Sequence, residues 1–497
     1  MSDIQGYDPR TGEPHGEPVP ETTDSGVDAA ARAAAAAFGS WSALSARERA
    51  DHLDAVADAL DAEAEALIDL ADAETALGRP RLTTELKRST NQLRLFGDVL
   101  REGSWVEATL DTPNPDIIPP RPALRRLLRP LGPVGVFAAS NFPFAFSVMG
   151  GDSASALAAG CPVVLKAHPS HPGTSRETAR VVAAVLPEGV FGVVHGQQAG
   201  VALVKHPAIK AVGFTGSTAG GRALFDLAAG RPEPIPFYGE LGSVNPTVVL
   251  PGAAAARPEG FAADFAGSLT MGVGQFCTNP GLLFAPESLV PALGEAVSAA
   301  VGGPMLNERM CDAYRSGTDS LGASGLVSPV GEGTAPDEGW SVPPRLYSVP
   351  LATFADNLEK LAEEHFGPAA VVVTYSSPEE LLDVLPHLPG SLTGTLHADD
   401  TEHELAGRVA EALRPVAGRL IFNGWPTGVA VAWGMHHGGP WPSTTSALHT
   451  SVGATAIRRW LAPVTYQSWP EDLLPPELRA DNPLGIPRRV DGVLGVH

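Results

Sequence analysis

Short apolar runs alternate with helical segments between residues 134 and 215, and this alternation restricts the fold more than any other feature of the chain. Residues 135–139 (Gly-Val-Phe-Ala-Ala), 161–166 (Cys-Pro-Val-Val-Leu-Lys), 191–194 (Phe-Gly-Val-Val) and 211–215 (Ala-Val-Gly-Phe-Thr) predict buried strands. Residues 149–159, 175–186 and 200–204 predict the helices between them. Strands that alternate with helices imply a parallel sheet, and parallel sheets receive ligands at the carboxyl ends of their strands. Asn141, Lys166 and Gly216 are therefore expected on one rim. The pattern returns in residues 245–435, with strands expected at 246–250, 281–284 and 369–373 and helices at 261–272 and 289–301. The fold class is α/β.

The flanks carry less information. Residues 1–24 are polar and turn-rich, and 8–13 read as a loop. Ala-rich and amphipathic spacing predicts helices at 27–41, 46–73 and 82–101, their charges forming solvated faces. Residues 113–133 interleave seven prolines with Arg121, Arg125, Arg126 and Arg129. That reads as an extended, paired excursion whose arginines either bind an anion or line a surface ribbon. From residue 440 the chain turns irregular and Pro/Trp-rich, as in a tail that wraps a neighbouring surface. At 497 residues there is room for two or three domains.

Composition excludes several partners. A net charge of −22 argues against nucleic acid and anionic membrane surfaces. The most apolar window, residues 134–151, contains Ser140, Asn141, Pro143 and Ser147, so no membrane span is expected. Cys161, Cys277 and Cys311 are too few and too scattered for a disulfide framework or a zinc site, so no metal is expected and a reducing cytoplasm fits best. The N-terminus shows no basic region followed by an apolar core, so no signal peptide is expected.

Residues 272–281 (Gly-Val-Gly-Gln-Phe-Cys-Thr-Asn-Pro-Gly) set one thiol, Cys277, among glycines that let the backbone approach a ligand. A thiolate there suits attack on a carbonyl carbon, with backbone N–H groups to hold an oxyanion; the plainer alternative is a small buried hydrophobe. Asn141 offers an untitratable amide donor at a strand end, or else bonds its own loop. Glu240, in the Gly-flanked turn 238–242, is a general base for water or a surface carboxylate. Residues 214–221 (Phe-Thr-Gly-Ser-Thr-Ala-Gly-Gly) follow a strand and open a helix. Ser217 takes the N-cap position and Gly216 and Gly221 flank a first turn whose free N–H groups suit a pyrophosphate; a tight turn alone is the other reading. Lys166 is a ribose and phosphate contact or a snorkelling edge lysine. Glu364, in Glu-His-Phe366-Gly-Pro, holds ribose hydroxyls or ends a helix.

Together these stretches resemble the aldehyde dehydrogenase superfamily over almost the whole chain. Residues 140–143 match its oxyanion asparagine motif, 214–217 its cofactor turn and 240–242 its general-base motif. Residues 274–277 match the nucleophile motif and 364–368 the ribose-binding motif, all in the family's order. The resemblance implies a Rossmann-like cofactor domain (1–110 and 131–242), an α/β catalytic domain (243–440) and a small β oligomerisation element with a tail (111–130 and 441–497). It also implies a homodimer or homotetramer acting on a small-molecule aldehyde. Catalytic roles fall to Cys277, Glu240 and Asn141, and cofactor contacts to Lys166, Gly216, Ser217, Gly221, Glu364 and Phe366.

Residues 166–175 and 242–246 resemble a bacterial NADP-dependent branch that includes 2-oxoglutarate semialdehyde (2,5-dioxovalerate) dehydrogenases and long-chain fatty aldehyde dehydrogenases. The expected reaction is oxidation of 2-oxoglutarate semialdehyde; the alternative is a medium- or long-chain aliphatic aldehyde. NADP is expected over NAD because Pro169 stands three residues after Lys166, where NAD-preferring relatives carry a glutamate, with Lys205 or His168 as a second phosphate contact. The chain departs from the family pattern at Ala139-Ser140, Asp152, Ser243 and Leu282.

Overall fold

In the computed structural model of the chain, residues 3–496 are described; Met1, Ser2 and His497, the outermost positions of the expected domains and of the expected leaderless N-terminus, lie outside them. The chain opens with an antiparallel hairpin, β1 (Asp3–Asp8) and β2 (Glu13–Pro20), where the polar composition predicts only loop. These strands are polar on both faces, so no hydrophobic alternation betrays them. Backbone pairing and the burial of Gly6 and Val19 hold the hairpin in place. The tight 9–12 turn between the strands is the part that the sequence does mark.

Four helices follow: α1 (Asp24–Ala43), α2 (Ala46–Ala62), α3 (Ala64–Thr75) and α4 (Arg79–Glu102). The single helix expected over 46–73 is thus two, broken at Glu63 (φ −99°, ψ 12°). Glu63 is flanked by alanines, good helix formers, so propensity marks no break and packing decides it. Ser45 caps α2 with a reciprocal box: Glu48 N–H donates to Ser45 Oγ at 3.2 Å, and Ser45 N–H to Glu48 Oε2 at 2.8 Å. The helices bury Trp41, Leu53, Leu60 and Phe96 against the first large sheet.

Between residues 109 and 130 run β3 (Thr109–Asp111) and β4 (Leu124–Pro130). The first large sheet then forms from β5 (Val134–Phe137), β6 (Val163–Lys166), β7 (Phe191–Val194), β8 (Ala211–Thr215) and β9 (Phe237–Glu240). Its order is β7-β6-β5-β8-β9, all parallel, with α5 (Gly151–Ala159), α6 (Pro172–Ala183), α7 (Gln197–Lys205) and α8 (Thr218–Ala229) as crossovers. Strand order reverses beside β5, the position where open α/β sheets leave a crevice. Phe137 pairs with both Lys166 and Phe214, and Thr215 with Glu240. Asn141, Lys166, Gly216 and Glu240 therefore share one rim.

The second sheet takes β10 (Thr247–Val249) and β11 (Leu282–Pro286), reached through the helices α9 (Pro251–Ala256) and α10 (Pro258–Thr270). A minor pair, β12 (Gly303–Pro304) with β14 (Ser341–Val342), stands apart from it. β13 (Ser328–Glu332), β15 (Arg345–Pro350), β16 (Ala369–Tyr375), β17 (Ser391–His397) and β18 (Ala417–Phe422) complete the order β13-β15-β16-β11-β10-β17-β18, only β13 antiparallel. Val248, Leu282, Phe284, Val371 and Val373 face one core; Val249, Leu283, Ala285, Ala370 and Val372 face another. Both faces are buried, which is why these strands read as continuous apolar runs.

The ribbon strands β3 and β4 pair with the C-terminal segment: β19 (Leu461–Gln467) lies antiparallel to β4, and β20 (Arg488–Val490) and β21 (Val493–Gly495) continue from β3. The expected irregular tail is therefore partly a strand. Its Pro-rich sequence hides the register that β4 imposes. No helix among the described residues is long and apolar enough to cross a membrane.

Candidate active site

The segment carrying Cys277 is shaped by its glycines. After α10 the backbone turns left-handed three times running, at Gly272 (φ 56°), Val273 (φ 57°) and Gly274 (φ 65°), so the helix expected to reach residue 272 ends at Thr270. At Gly274 a Cβ atom would stand 2.3 Å from the Gly367 carbonyl carbon, backbone against backbone, so no side chain fits. The turn delivers the half-buried Cys277 to the rim where β9 ends.

Glu240 is buried at the end of β9. Its Oε1 accepts from His437 Nε2 at 3.0 Å and its Oε2 from Ser451 Oγ at 2.6 Å. His437 Nε2 also lies 3.5 Å from Cys277 Sγ. Three separate stretches of chain thus converge on one thiol. Burial first, then the Glu240 charge, push the Cys277 thiol well above its ordinary range. Burial also works to raise the Glu240 carboxyl, but the His437 charge and hydrogen bonds from His437, Ser451 and Cys277 outweigh it and hold the group low. The ligand atoms of Glu240, Cys277 and His437 lie within 4.8 Å of one another, a convergence not visible in the cysteine spacing.

Neither His437 nor Ser451 stands out in the sequence. Both belong to the irregular stretch after β18, and the one local signal is the pair Gly438-Gly439. A Cβ at Gly439 would meet the Ser391 carbonyl oxygen at 2.3 Å, so this backbone is threaded tightly against β17.

Asn141, just beyond β5, is buried and donates Nδ2 to the Gln275 carbonyl at 2.9 Å. Arg81 holds the Asn141 carbonyl in turn, at 2.6 Å. The amide thus faces the nucleophile loop and, among the described residues, makes no other side-chain hydrogen bond. Asp152, at the departure from the family lysine, pairs with Arg459 at 2.6 Å in a buried contact.

The cofactor candidates occupy the neighbouring crevice. Ser217 caps α8, its Oγ accepting from Gly220 N–H at 3.3 Å. Gly216 N–H is given to the Glu240 carbonyl at 3.1 Å, and a Cβ at Gly221 would lie 2.1 Å from Leu241 Cδ2, so α8 packs hard on the strand exit. Lys166 ends β6 without a hydrogen bond or ion pair among the described residues, and burial brings its ammonium down to about 8. Glu364 and Phe366 line a cavity with Gly274, Phe276 and Asn279; burial raises the Glu364 carboxyl to about 7.

Two expected phosphate contacts fail. Lys205 ends α7, which runs back from the C-terminal end of β7, so it lies at the opposite rim from Lys166. His168 is held well below its usual range by burial and by the Lys166 charge, and its Nδ1 accepts from Ser170 N–H at 3.1 Å. It is not a cation.

Comparison with known proteins adds an independent line. The profile of the Aldehyde dehydrogenase family matches residues 2–462. Alpha-ketoglutaric semialdehyde dehydrogenase 2 of Azospirillum brasilense is 45% identical, over 98% of this chain and 96% of its own. Alpha-ketoglutaric semialdehyde dehydrogenase of Acinetobacter baylyi is 42% identical, over 97% and 94%. An aldehyde dehydrogenase of Pseudomonas syringae solved with NAD+ and octanal superposes with a TM-score of 0.81 at 22% identity, over 94% of this chain and 93% of that one.

Proposed function

This chain belongs to the aldehyde dehydrogenase family, and on that premise we propose that it oxidises 2-oxoglutarate semialdehyde to 2-oxoglutarate with NADP as the acceptor. The observation that carries the chemistry is the meeting of Cys277, His437 and Glu240 beside Asn141. Names of relatives at 42–45% identity support the choice of aldehyde.

The residues divide the work as follows. The proton leaving Sγ is taken up by the Glu240–His437 pair, and Cys277 attacks the aldehyde carbon to give a thiohemiacetal. Asn141 Nδ2 and the Cys277 N–H donate to the oxyanion. A bound nicotinamide supplies the hydride acceptor that converts this adduct to a thioester. The first proton passes from the pair to solvent. Glu240 then draws a proton from water, which attacks the thioester; collapse expels the thiolate and the acid, and Glu240 returns its proton to the thiolate.

The crevice suits NADP. The first turn of α8 presents N–H groups to a pyrophosphate, and the half-buried Lys166 makes no ion pair among the described residues, though the Glu21 charge reaches it. At Pro169 no carboxylate opposes a 2′-phosphate. Glu364 and Phe366 serve the nicotinamide-side ribose. We assign residues 1–110 and 131–242 to cofactor binding, 243–440 to catalysis, and the sheet of 111–130 with 441–497 to assembly as a homodimer or homotetramer.

The test is NADPH formation without coenzyme A from 2,5-dioxopentanoate against a panel of C6–C14 aliphatic aldehydes. Turnover of 2,5-dioxopentanoate with the highest kcat/KM is expected. A preference for the aliphatic aldehydes would replace the proposed substrate with the alternative one.

A further inference from the structure

A guanidinium without an anion stands beside the nucleophile. Arg88, on the inner side of α4, makes no hydrogen bond and no ion pair among the described residues, and its Nη1 is buried without a partner. Its Cζ lies 5.3 Å over the ring of Phe146. The other face of the same neighbourhood is the active centre: the Phe146 ring is 6.3 Å, centroid to centroid, from that of His437, which touches Cys277 and Glu240. Among the nearby charges Glu85 acts on Arg88 most strongly, followed by Cys277 and Glu240.

Glu85, on the same helix, accepts through Oε1 from the N–H groups of Phe144 (2.8 Å) and Ala145 (3.0 Å). Its Oε2 is buried without a hydrogen-bond partner, and its charge reaches Arg88 without an ion-pair contact among the described residues. Arg81 gives Nη2 to the Asn141 carbonyl and stacks over Phe142 and Phe276. Arg419, whose field also reaches Cys277, donates both terminal nitrogens to the carbonyls of Pro426 and Gly428. Of these three arginines, Arg88 alone makes no hydrogen bond among the described residues. The Glu85 charge offsets part of its burial but gives its donors no acceptor, so a guanidinium with open donors beside a nucleophile suits an anionic ligand.

We propose that Arg88 receives the distal carboxylate of the substrate in a two-pronged hydrogen bond, with Phe142 and Phe146 flanking the carbon chain between carboxylate and aldehyde. The proposal rests on the reading of this protein as a semialdehyde dehydrogenase and names the residue that makes it one. An extended five-carbon semialdehyde places its carboxyl carbon roughly 5 Å from the aldehyde carbon, enough to carry it past one aromatic ring. An arginine suits the task because its planar fork matches both carboxylate oxygens, whereas a lysine would offer a point charge.

The test compares wild type, Arg88→Met and Arg88→Lys on two matched pairs, 2,5-dioxopentanoate with pentanal and succinic semialdehyde with butanal. Arg88→Met is expected to lower the ratio of kcat/KM, carboxylated over plain, about a hundredfold in both pairs, chiefly through KM. Arg88→Lys should recover part of that ratio. In the Cys277→Ala background, calorimetric binding of 2,5-dioxopentanoate should weaken by a similar factor on Arg88→Met. If Arg88→Met does not fold, Arg88→Gln carries the same comparison. An unchanged ratio, or an equal fall on plain and carboxylated aldehydes, overturns the role of Arg88. Wild type that rejects 2,5-dioxopentanoate but loses succinic semialdehyde selectively with Arg88→Met overturns the proposed substrate and leaves the carboxylate seat standing.

Discussion

His437 Nε2 lies 3.0 Å from Glu240 Oε1, although 197 positions separate the two residues in the chain. The contact is fully buried and reaches a third group, since the same nitrogen is 3.5 Å from Cys277 Sγ. On the proposed mechanism, proton transfer from the thiol and from water would involve a pair rather than a lone carboxylate. Removing either partner leaves the other buried and uncompensated, so both substitutions are expected to be costly.

Cys277→Ala is expected to abolish NADPH formation, a fall of at least about a thousandfold, with NADP binding retained. Cys161, whose Sγ lies 3.4 Å from the Trp460 carbonyl in the core, and Cys311, buried on the helix Glu308–Gly322, take no part in the site. Their alanine variants should keep activity within a fewfold, measured on the same aldehyde.

Replacing His437 by Ala should lower kcat by about 10²- to 10³-fold, the usual contribution of a positioned proton-transfer group. The check is steady-state kcat together with the rate of Cys277 alkylation by iodoacetamide, which should also slow. A variant with wild-type kcat would show that Glu240 acts alone.

Glu240→Gln separates two effects of one carboxylate. Water activation is lost, so a single burst of NADPH should precede slow turnover as the thioester accumulates. At the same time the charge that pushes the Cys277 thiol upward is gone, so the alkylation profile should shift to lower pH. Rapid-mixing absorbance and pH-dependent alkylation read the two outcomes separately.

NADP affinity should weaken as pH rises through about 8, while NAD affinity stays nearly level. Burial brings Lys166 down to about 8, so below that pH the empty site already carries the cation, and above it the phosphate must bind a neutral amine and take up a proton. The dissociation constant for NADP should rise by up to about tenfold per pH unit above 8. Lys166→Met should remove the slope, and Pro169→Glu should shift the preference toward NAD.

Gly274→Ala tests the nucleophile turn. A Cβ there meets the Gly367–Pro368 backbone within 2.4 Å, and the left-handed φ of 65° adds about 1 kcal/mol of strain for a non-glycine residue. Activity should fall more than tenfold, with a melting temperature lower by several degrees.

Much of this protein is written locally. The strands at 134–137, 163–166, 191–194 and 211–215 declare themselves because buried parallel strands need unbroken apolar runs, and the crossover helices need their own spacing. Cys277, Asn141, Glu240 and the 214–221 turn are marked by glycines and caps that adjacent residues supply. The hairpin at residues 3–20, the break at Glu63 and the strand Leu461–Gln467 have no such mark, since their conformations come from what they pack on or pair with.

The partners of the thiol belong to the same second class. His437 and Ser451 sit in a stretch without periodicity, and their approach to Glu240 depends on how Gly438-Gly439 threads past β17. Arg88 looks like any solvated helix cation until the fold sets it over Phe146 with no hydrogen-bond acceptor among the described residues. Neighbours along the chain encode the shape of an element and the chemistry of a motif. Which groups meet at the nucleophile follows only from the register and packing of whole sheets, because those contacts join residues as far apart as Glu240 and His437.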